Sequence, residues 1–270
     1  MALPSIRLDL FPGGVSRAVT LSYDDGVVED RRLVEILNAH GLKGTFHLNS
    51  GVLGREKKLA REEIATLFAG HEISAHSVTH PHLDALSREE LAREILDDRA
   101  ALEALAGYPV RGMSYPFGTH SPEVVSRLPH LGIEYARTVE SHGRFHVPEN
   151  LLLWHPTCHH KHDLAAKAEE FFTPMQSWQA RLRLLYVWGH SYEFPNDNNW
   201  DVIERFAERV AKEGNAWCAT NIEIADYLRA QRALRCGVDG RQVQNLASRP
   251  VWITWNGEAR EIAAGAVATL

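Results

Sequence analysis

From residue 17 to about residue 227, short runs of β-branched and aliphatic residues alternate with longer stretches in which apolar positions recur every three or four residues. Parallel strands joined by crossover helices produce this alternation. The pattern predicts strands at 18–22, 43–48, 71–75, 110–115, 133–139, 151–154, 184–189 and 216–220. Between the first two, Leu33, Ile36, Leu37 and His40 fall at i, i+3, i+4 and i+7, which places them on one face of a helix. A second helix opens at Ser87 with Glu90 three residues on, a capping box, and runs through Leu91, Ile95, Leu102 and Leu105 to Gly107. Seven or eight such units fit a barrel of parallel strands or a doubly wound sheet, and the count favours the barrel.

After Ala233 the pattern changes. Cys236-Gly237, Asp239-Gly240 and Asn256-Gly257 are turn signals, and residues 251–255 alternate like a strand leading into the Asn-Gly turn. The expected organisation is therefore an α/β barrel over residues 1–235 and a small β segment over residues 236–270.

At 270 residues, 44% hydrophobic and 24% charged, the chain has the proportions of a packed globular protein. A net charge of -6 offers no basic footprint, so nucleic acid is not an expected partner. No apolar run approaches the roughly 18 residues of a membrane span, and residues 1–12 lack the basic start and apolar stretch of a secretory signal. No membrane partner is expected, and the expected location is the cytoplasm; the sequence assigns no oligomeric state. Three cysteines without a CxxC pair suggest neither a disulfide framework nor a thiolate metal site. Fifteen histidines stand out, because histidine is the commonest metal ligand and the acid or base active near neutrality.

Four segments carry candidate chemistry. In Tyr23-Asp24-Asp25-Gly26 two carboxylates follow an apolar strand; one can hold a metal and the other act as a base, or the segment is a turn, which Asp-Gly often marks. His76 and His80 are four apart, a spacing that suits two imidazoles on one ion, or they are incidental in a polar loop closed by Pro81. A zincin helix is excluded, because His71-Glu72 is followed by histidine one residue too late, at 76. Tyr115-Pro116-Phe117-Gly118 ends a strand in a turn that would expose backbone N–H groups able to receive an oxyanion. His190 follows another strand, as an acid or as a structural hydrogen-bonding group. Each segment lies after a predicted strand, and in parallel barrels the loops at the carboxyl ends share the face where active sites sit.

In this order the four segments resemble the motifs of the polysaccharide deacetylases, the NodB homology domain of carbohydrate esterase family 4, over about residues 17–227. The resemblance implies a distorted (β/α) barrel, usually of seven units, and metal-dependent removal of acyl groups, most often acetyl, from amino sugars. It implies Asp24 as base, Asp25, His76 and His80 as metal ligands, and His190 as acid. The metal expected is zinc, with cobalt or nickel able to substitute. Phe117 would supply an oxyanion N–H, and Tyr115 and Trp154 would border the substrate. The family usually carries an arginine three residues before the aromatic of the third motif, where this chain has Ser114, so either Arg111 or Arg137 would orient Asp24. The expected partner is an acetylated sugar or another small amide. The alternatives are a hydrolase of small non-sugar amides such as cyclic ureides or imides, and a silent carbohydrate-binding module.

Trp154, Trp188, Tyr192 and Trp200 are candidates for stacking on a sugar, or they pack in the core. Cys158-His159-His160-Lys161-His162 looks like a second metal cluster, yet adjacent histidines in a strand point to opposite sides. A solvated loop at the rim of the pocket is expected there.

Overall fold

A computed structural model describes residues 4–174 and 181–269. Its strands are β1 (Ile6–Arg7), β2 (Arg17–Asp24), β3 (Gly44–Leu48), β4 (Glu72–Ala75), β5 (Gly112–Ser114), β6 (Tyr135–Arg137), β7 (Cys158–His159), β8 (Arg183–Gly189), β9 (Trp217–Cys218), β10 (Arg235–Cys236), β11 (Gln242–Gln244), β12 (Val251–Trp255), β13 (Glu258–Ile262) and β14 (Val267–Thr269). Seven parallel strands curl into one sheet in the order β6-β5-β4-β3-β2-β8-β7, with β9 pairing alongside the start of β2. This is the barrel that the strand count favours, in the seven-stranded distorted α/β form that the resemblance implies.

The two-residue period of β2 explains its depth. Val19, Leu21 and Tyr23 face the helix layer and join its core, while Thr20, Ser22 and Asp24 face the barrel interior, so both sides of the strand are covered. The interior is polar and internally bonded. Glu72 accepts from Tyr135 Oη at 2.7 Å, Thr45 Oγ1 at 2.9 Å and the Ile222 backbone N–H at 2.9 Å. Asn221 Oδ1 accepts from Thr20 at 2.8 Å, and Tyr186 Oη donates to Ser22 at 3.2 Å. Such groups tolerate burial because each has a partner.

The helix Asp30–Ala39 buries Leu33, Val34 and Leu37; His40 is its C-cap rather than a member of the face. The helix Arg88–Ala106 begins on the expected capping box, with Ser87 Oγ accepting from the Glu90 N–H and Glu90 accepting from the Ser87 N–H, both at 3.2 Å. It ends at Gly107, whose left-handed φ of 76° closes the helix without a Cβ clash.

The predicted strand at 151–154 is a 3-10 turn, Leu151–Leu153, followed by a single parallel bridge between Arg137 and Trp154. Three consecutive leucines give no alternation, and Asn150 caps the turn by accepting from the Leu152 N–H at 2.9 Å. The strand of this unit comes later, at β7.

Beyond the barrel, β1-β12-β13 and β10-β11-β14 form two three-stranded antiparallel sheets. Asn256 and Gly257 both have positive φ, the turn that joins β12 to β13. The N-terminal β1 therefore pairs with the C-terminal segment, at Ile6–Trp255 and Arg7–Thr254. Val251, Ile253, Trp255 and Ile262 share a core with Phe11, Tyr227, Leu228 and the early residues Ala18 and Leu184 of two barrel strands. The segment thus packs at the amino ends of the strands, opposite the loops considered next. Among the described residues, no helix is long and apolar enough to cross a membrane.

Candidate active site

At the carboxyl ends of the strands Asp24, Asp25, His76, His80, Tyr115, Phe117, Trp188 and His190 surround a cleft of about 480 Å³. β2 delivers Asp24 into the barrel interior. The next residue, Asp25, adopts a φ of 84°, which aspartate tolerates better than most side chains. Its N–H donates to the His47 carbonyl at 2.9 Å, and its own carbonyl accepts from Lys58 Nζ at 2.8 Å.

His76 and His80 lie in the loop after β4, not on a helix. Ser77 and His80 both have positive φ, and Ser77 Oγ accepts the His80 N–H at 3.1 Å. Asn49 Nδ2 holds the loop by donating to the carbonyls of His76 and Ser77. Asp98, on the inner face of the helix Arg88–Ala106, accepts the His76 N–H at 3.0 Å and the Ser50 N–H at 2.8 Å.

The donor set fits a divalent ion. Asp25 Oδ1 lies 3.9 Å from Nε2 of both His76 and His80, and the three atoms are all within 4.8 Å of one another. Ser114 fixes the tautomer of His76: its hydroxyl donates to Asp24 at 3.2 Å, so Nδ1–H of His76 donates to the Ser114 oxygens, at 2.7 Å to Oγ and 2.9 Å to the carbonyl. The Nε2 lone pair is left facing the carboxylates, the orientation a metal-ligating histidine needs. Burial lowers the His76 pKa to about 4 despite the nearby Asp24 and Asp25, which keeps the imidazole neutral. One carboxylate and two imidazoles suit zinc.

Asp24 is 3% exposed. Burial alone would raise its pKa, but Arg137, with His76, His47 and His190, holds it well below the ordinary carboxylate range. Arg137 Nη2 bonds Asp24 Oδ2 directly, and the guanidinium lies 4.5 Å from the centre of the Trp188 ring. Arg111 is elsewhere: it forms a two-pronged pair with Asp226 at 2.9 Å and meets Glu134 at 3.2 Å. Of the two arginines the sequence offered, only Arg137 reaches Asp24.

Phe117 carries a φ of 58° within the Pro-Phe-Gly turn and is 56% exposed, its ring stacked on His82 at 4.2 Å. Tyr115 lines the cleft and donates to the Leu152 carbonyl at 2.8 Å. Trp154 does not border the cleft; it is buried edge-on against Tyr135 and Tyr186. Trp188 and Tyr192 are the aromatic walls instead. Trp200 stacks on Phe194 under Arg32, away from the cleft.

His190 stands on the cleft wall. Burial disfavours its charge, but Glu193, Asp24 and Asp25 outweigh this and raise its pKa. Glu193, which the sequence reading passed over, accepts the His190 N–H at 3.1 Å and lies 3.5 Å from Nδ1.

A buried carboxylate braced by arginine, a carboxylate–histidine donor triad and a histidine across the cleft, all at the carboxyl ends of a parallel barrel, define a candidate active site on a (β/α) fold. Residues 14–136 match the family model described as polysaccharide deacetylase. Over those residues, a little under half of the chain, it is similar to the polysaccharide deacetylase family. It is 29% identical over 119 residues to a chitooligosaccharide deacetylase of Sinorhizobium fredii, covering 43% of this chain and 54% of that one. The matches span about half, or less, of the length of the curated relatives. Among solved structures, a putative polysaccharide deacetylase from Mycobacterium smegmatis superposes with a TM-score of 0.60 at 19% identity, covering 86% of this chain and 95% of that one. A family 4 acetyl xylan esterase from Clostridium thermocellum in complex with a cobalt ion gives 0.51 at 17% identity, covering 77% and 90%.

Proposed function

We propose that this chain is a metal-dependent deacetylase that hydrolyses an N-acetyl or O-acetyl group of an amino sugar or polysaccharide, releasing acetate. The reading rests on one observation above the others: a buried carboxylate, Asp24, is kept ionised by Arg137 immediately beside the converging donor atoms of Asp25, His76 and His80. The relative named as a chitooligosaccharide deacetylase and the relative in complex with cobalt support the substrate class and the metal dependence.

Asp25, His76 and His80 would hold zinc, and cobalt or nickel suit the same donors. Such an ion supplies Lewis acidity, weakening the O–H bond of a water and polarising the acyl carbonyl. The residues of the chain do the rest. Asp24 takes the proton of the attacking water, and its pairing with Arg137 keeps it unprotonated and aimed. The Phe117 N–H donates to the developing oxyanion. His190 donates a proton to the departing nitrogen or oxygen. Trp188 and Tyr192 offer flat apolar faces to the sugar.

The test is elemental analysis of protein purified without a histidine tag, paired with acetate release from N-acetylated and O-acetylated sugars with and without chelator. One zinc at the triad with chelator-sensitive release is expected. Bound metal without acetate from any sugar would replace the reading with hydrolysis of a small non-sugar amide, and binding of sugars without turnover would favour a silent module.

A further inference from the structure

A second group of ligand-type side chains lies beside the cleft, joined to the chemistry above only through the contact of Glu193 with His190. β7 ends at His159, so the alternation of a strand no longer governs the next residue, and His160 turns to the same carboxylate as its neighbour. His159 Nε2 lies 3.2 Å and His160 Nε2 3.3 Å from Glu193 Oε2, and the three atoms are mutually within 4.8 Å. The solvated loop expected from the sequence holds for Lys161 and His162, which are exposed, but not for His160, which is 1% exposed.

His160 is the telling residue. Its ring stacks on Phe194, at 4.3 Å, and lies near-parallel to Tyr23, at 5.7 Å, and neither ring nitrogen has a hydrogen-bond partner. A buried polar group without a partner is costly unless something else satisfies it. The fold makes room for the ring: a Cβ on Gly189 would stand 2.1 Å from His160 Nδ1.

We propose that His159, His160 and Glu193 form a second divalent-metal site, distinct from the triad of Asp25, His76 and His80. The separations of 3.2 and 3.3 Å match the edge of a tetrahedron built on metal–ligand bonds of roughly 2.0–2.2 Å, and two imidazoles with one carboxylate are donors that zinc accepts. Lys161 Nζ, 3.2 Å from Glu193 Oε1, occupies the other oxygen, and Oε2, which also accepts the His190 N–H at 3.1 Å, keeps its second lone pair for the site. One contact competes with loading: the Lys161 backbone N–H donates to His159 Nδ1 at 3.2 Å, and the ring gives up this long bond when Nε2 binds a cation. The proposal does not depend on the deacetylase reading.

The test is a zinc count. Protein stripped with chelator, reloaded with zinc and freed of excess by gel filtration is measured by plasma mass spectrometry. The wild type should carry two zinc ions per chain, His159→Ala one, His76→Ala one, and the double variant none. Glu193→Gln, which keeps the shape of the side chain, should repeat the loss seen in His159→Ala. In the His76→Ala protein zinc should still raise Tm, and adding Glu193→Gln should abolish that rise. A wild type with a single zinc, lost in His76→Ala and kept in His159→Ala, overturns the second site and leaves a hydrogen-bonded histidine cluster. A single zinc with the opposite behaviour upholds this site and overturns the triad, and no zinc in any form overturns both.

Discussion

Arg137 and Asp24 form an ion pair with both side chains withdrawn from water, although 113 residues separate them in the chain. β6 and β2 bring them together across the interior of the barrel, and Trp188 covers the guanidinium on its other side. The pair keeps a carboxylate charged where burial alone would protonate it.

Removing the arginine should therefore impair the base more than the fold around Arg111 suggests. Arg137→Gln is expected to lower turnover by about 10²–10⁴, the span of a lost acid–base contribution, and to destabilise the protein by about 3–5 kcal/mol because Asp24 is left buried and unpaired. Arg111→Gln should leave turnover within about twofold, since its partners Asp226 and Glu134 lie outside the cleft. Steady-state acetate release and urea unfolding of the two variants check this.

Asp24→Asn separates base from ligand. It should retain zinc at the triad while losing about 10²–10⁴ in turnover, whereas His76→Ala should lose the ion at that site. A fully active Asp24→Asn protein would sink the assignment of the base.

Asp98 supports the site from behind. Asp98→Ala leaves the N–H groups of His76 and Ser50 without acceptors in a buried place, which should cost about 2–5 kcal/mol. Because the His76 backbone is then unanchored, zinc affinity should fall by about 10–100-fold. Thermal melts and a competitive zinc titration measure the two effects separately.

Glu72 predicts a pH dependence of stability. Burial pushes its pKa up to about 7, against the pull of its three hydrogen bonds. In the unfolded chain it ionises near the ordinary value of 4.5. Between these two values the folded state binds the proton and the unfolded state does not, so stability falls as pH rises through the window and levels off above it. The fall should be on the order of 2–3 kcal/mol. Glu72→Gln should remove this component: its amide oxygen can face Thr45 and the Ile222 N–H, and its NH₂ can donate to Tyr135 Oη, which can in turn donate to Ser74. Urea melts of both proteins at about pH 5 and about pH 8 give the difference; equal slopes would refute it.

The periodicity of the chain carried the barrel because β2, β3, β4 and β8 are long enough to show their strand character, and Ser87 with Glu90 marked a helix start that the structure reproduces. It failed where local pattern is silent. β1 and β7 are two residues each, too short for any period, and Leu151–Leu153 resembled a strand only in hydrophobicity. The candidate ligands and the candidate base announced themselves by residue type after strands. Their supports did not, since Ser114, Asp98 and Glu193 act through pairings that only the fold creates. Asp98 did leave a trace: it interrupts the apolar stripe Leu91, Ile95, Leu102 with a charge, and the structure buries it there. Choosing Arg137 over Arg111 needed the β5–β6 register, in which Ser114 pairs with Arg137.

The left-handed backbone at Asp25 restricts which chemistry the loop can host. Two adjacent carboxylates would ordinarily compete for the same surroundings, yet one peptide unit turned to positive φ sends the first into the interior and the second to the rim. Aspartate and asparagine enter that conformation far more readily than glutamate, and of the two only aspartate brings a negative charge to a cation. A single torsion angle thus disfavours glutamate and leaves aspartate as the carboxylate ligand suited to this position before any metal arrives.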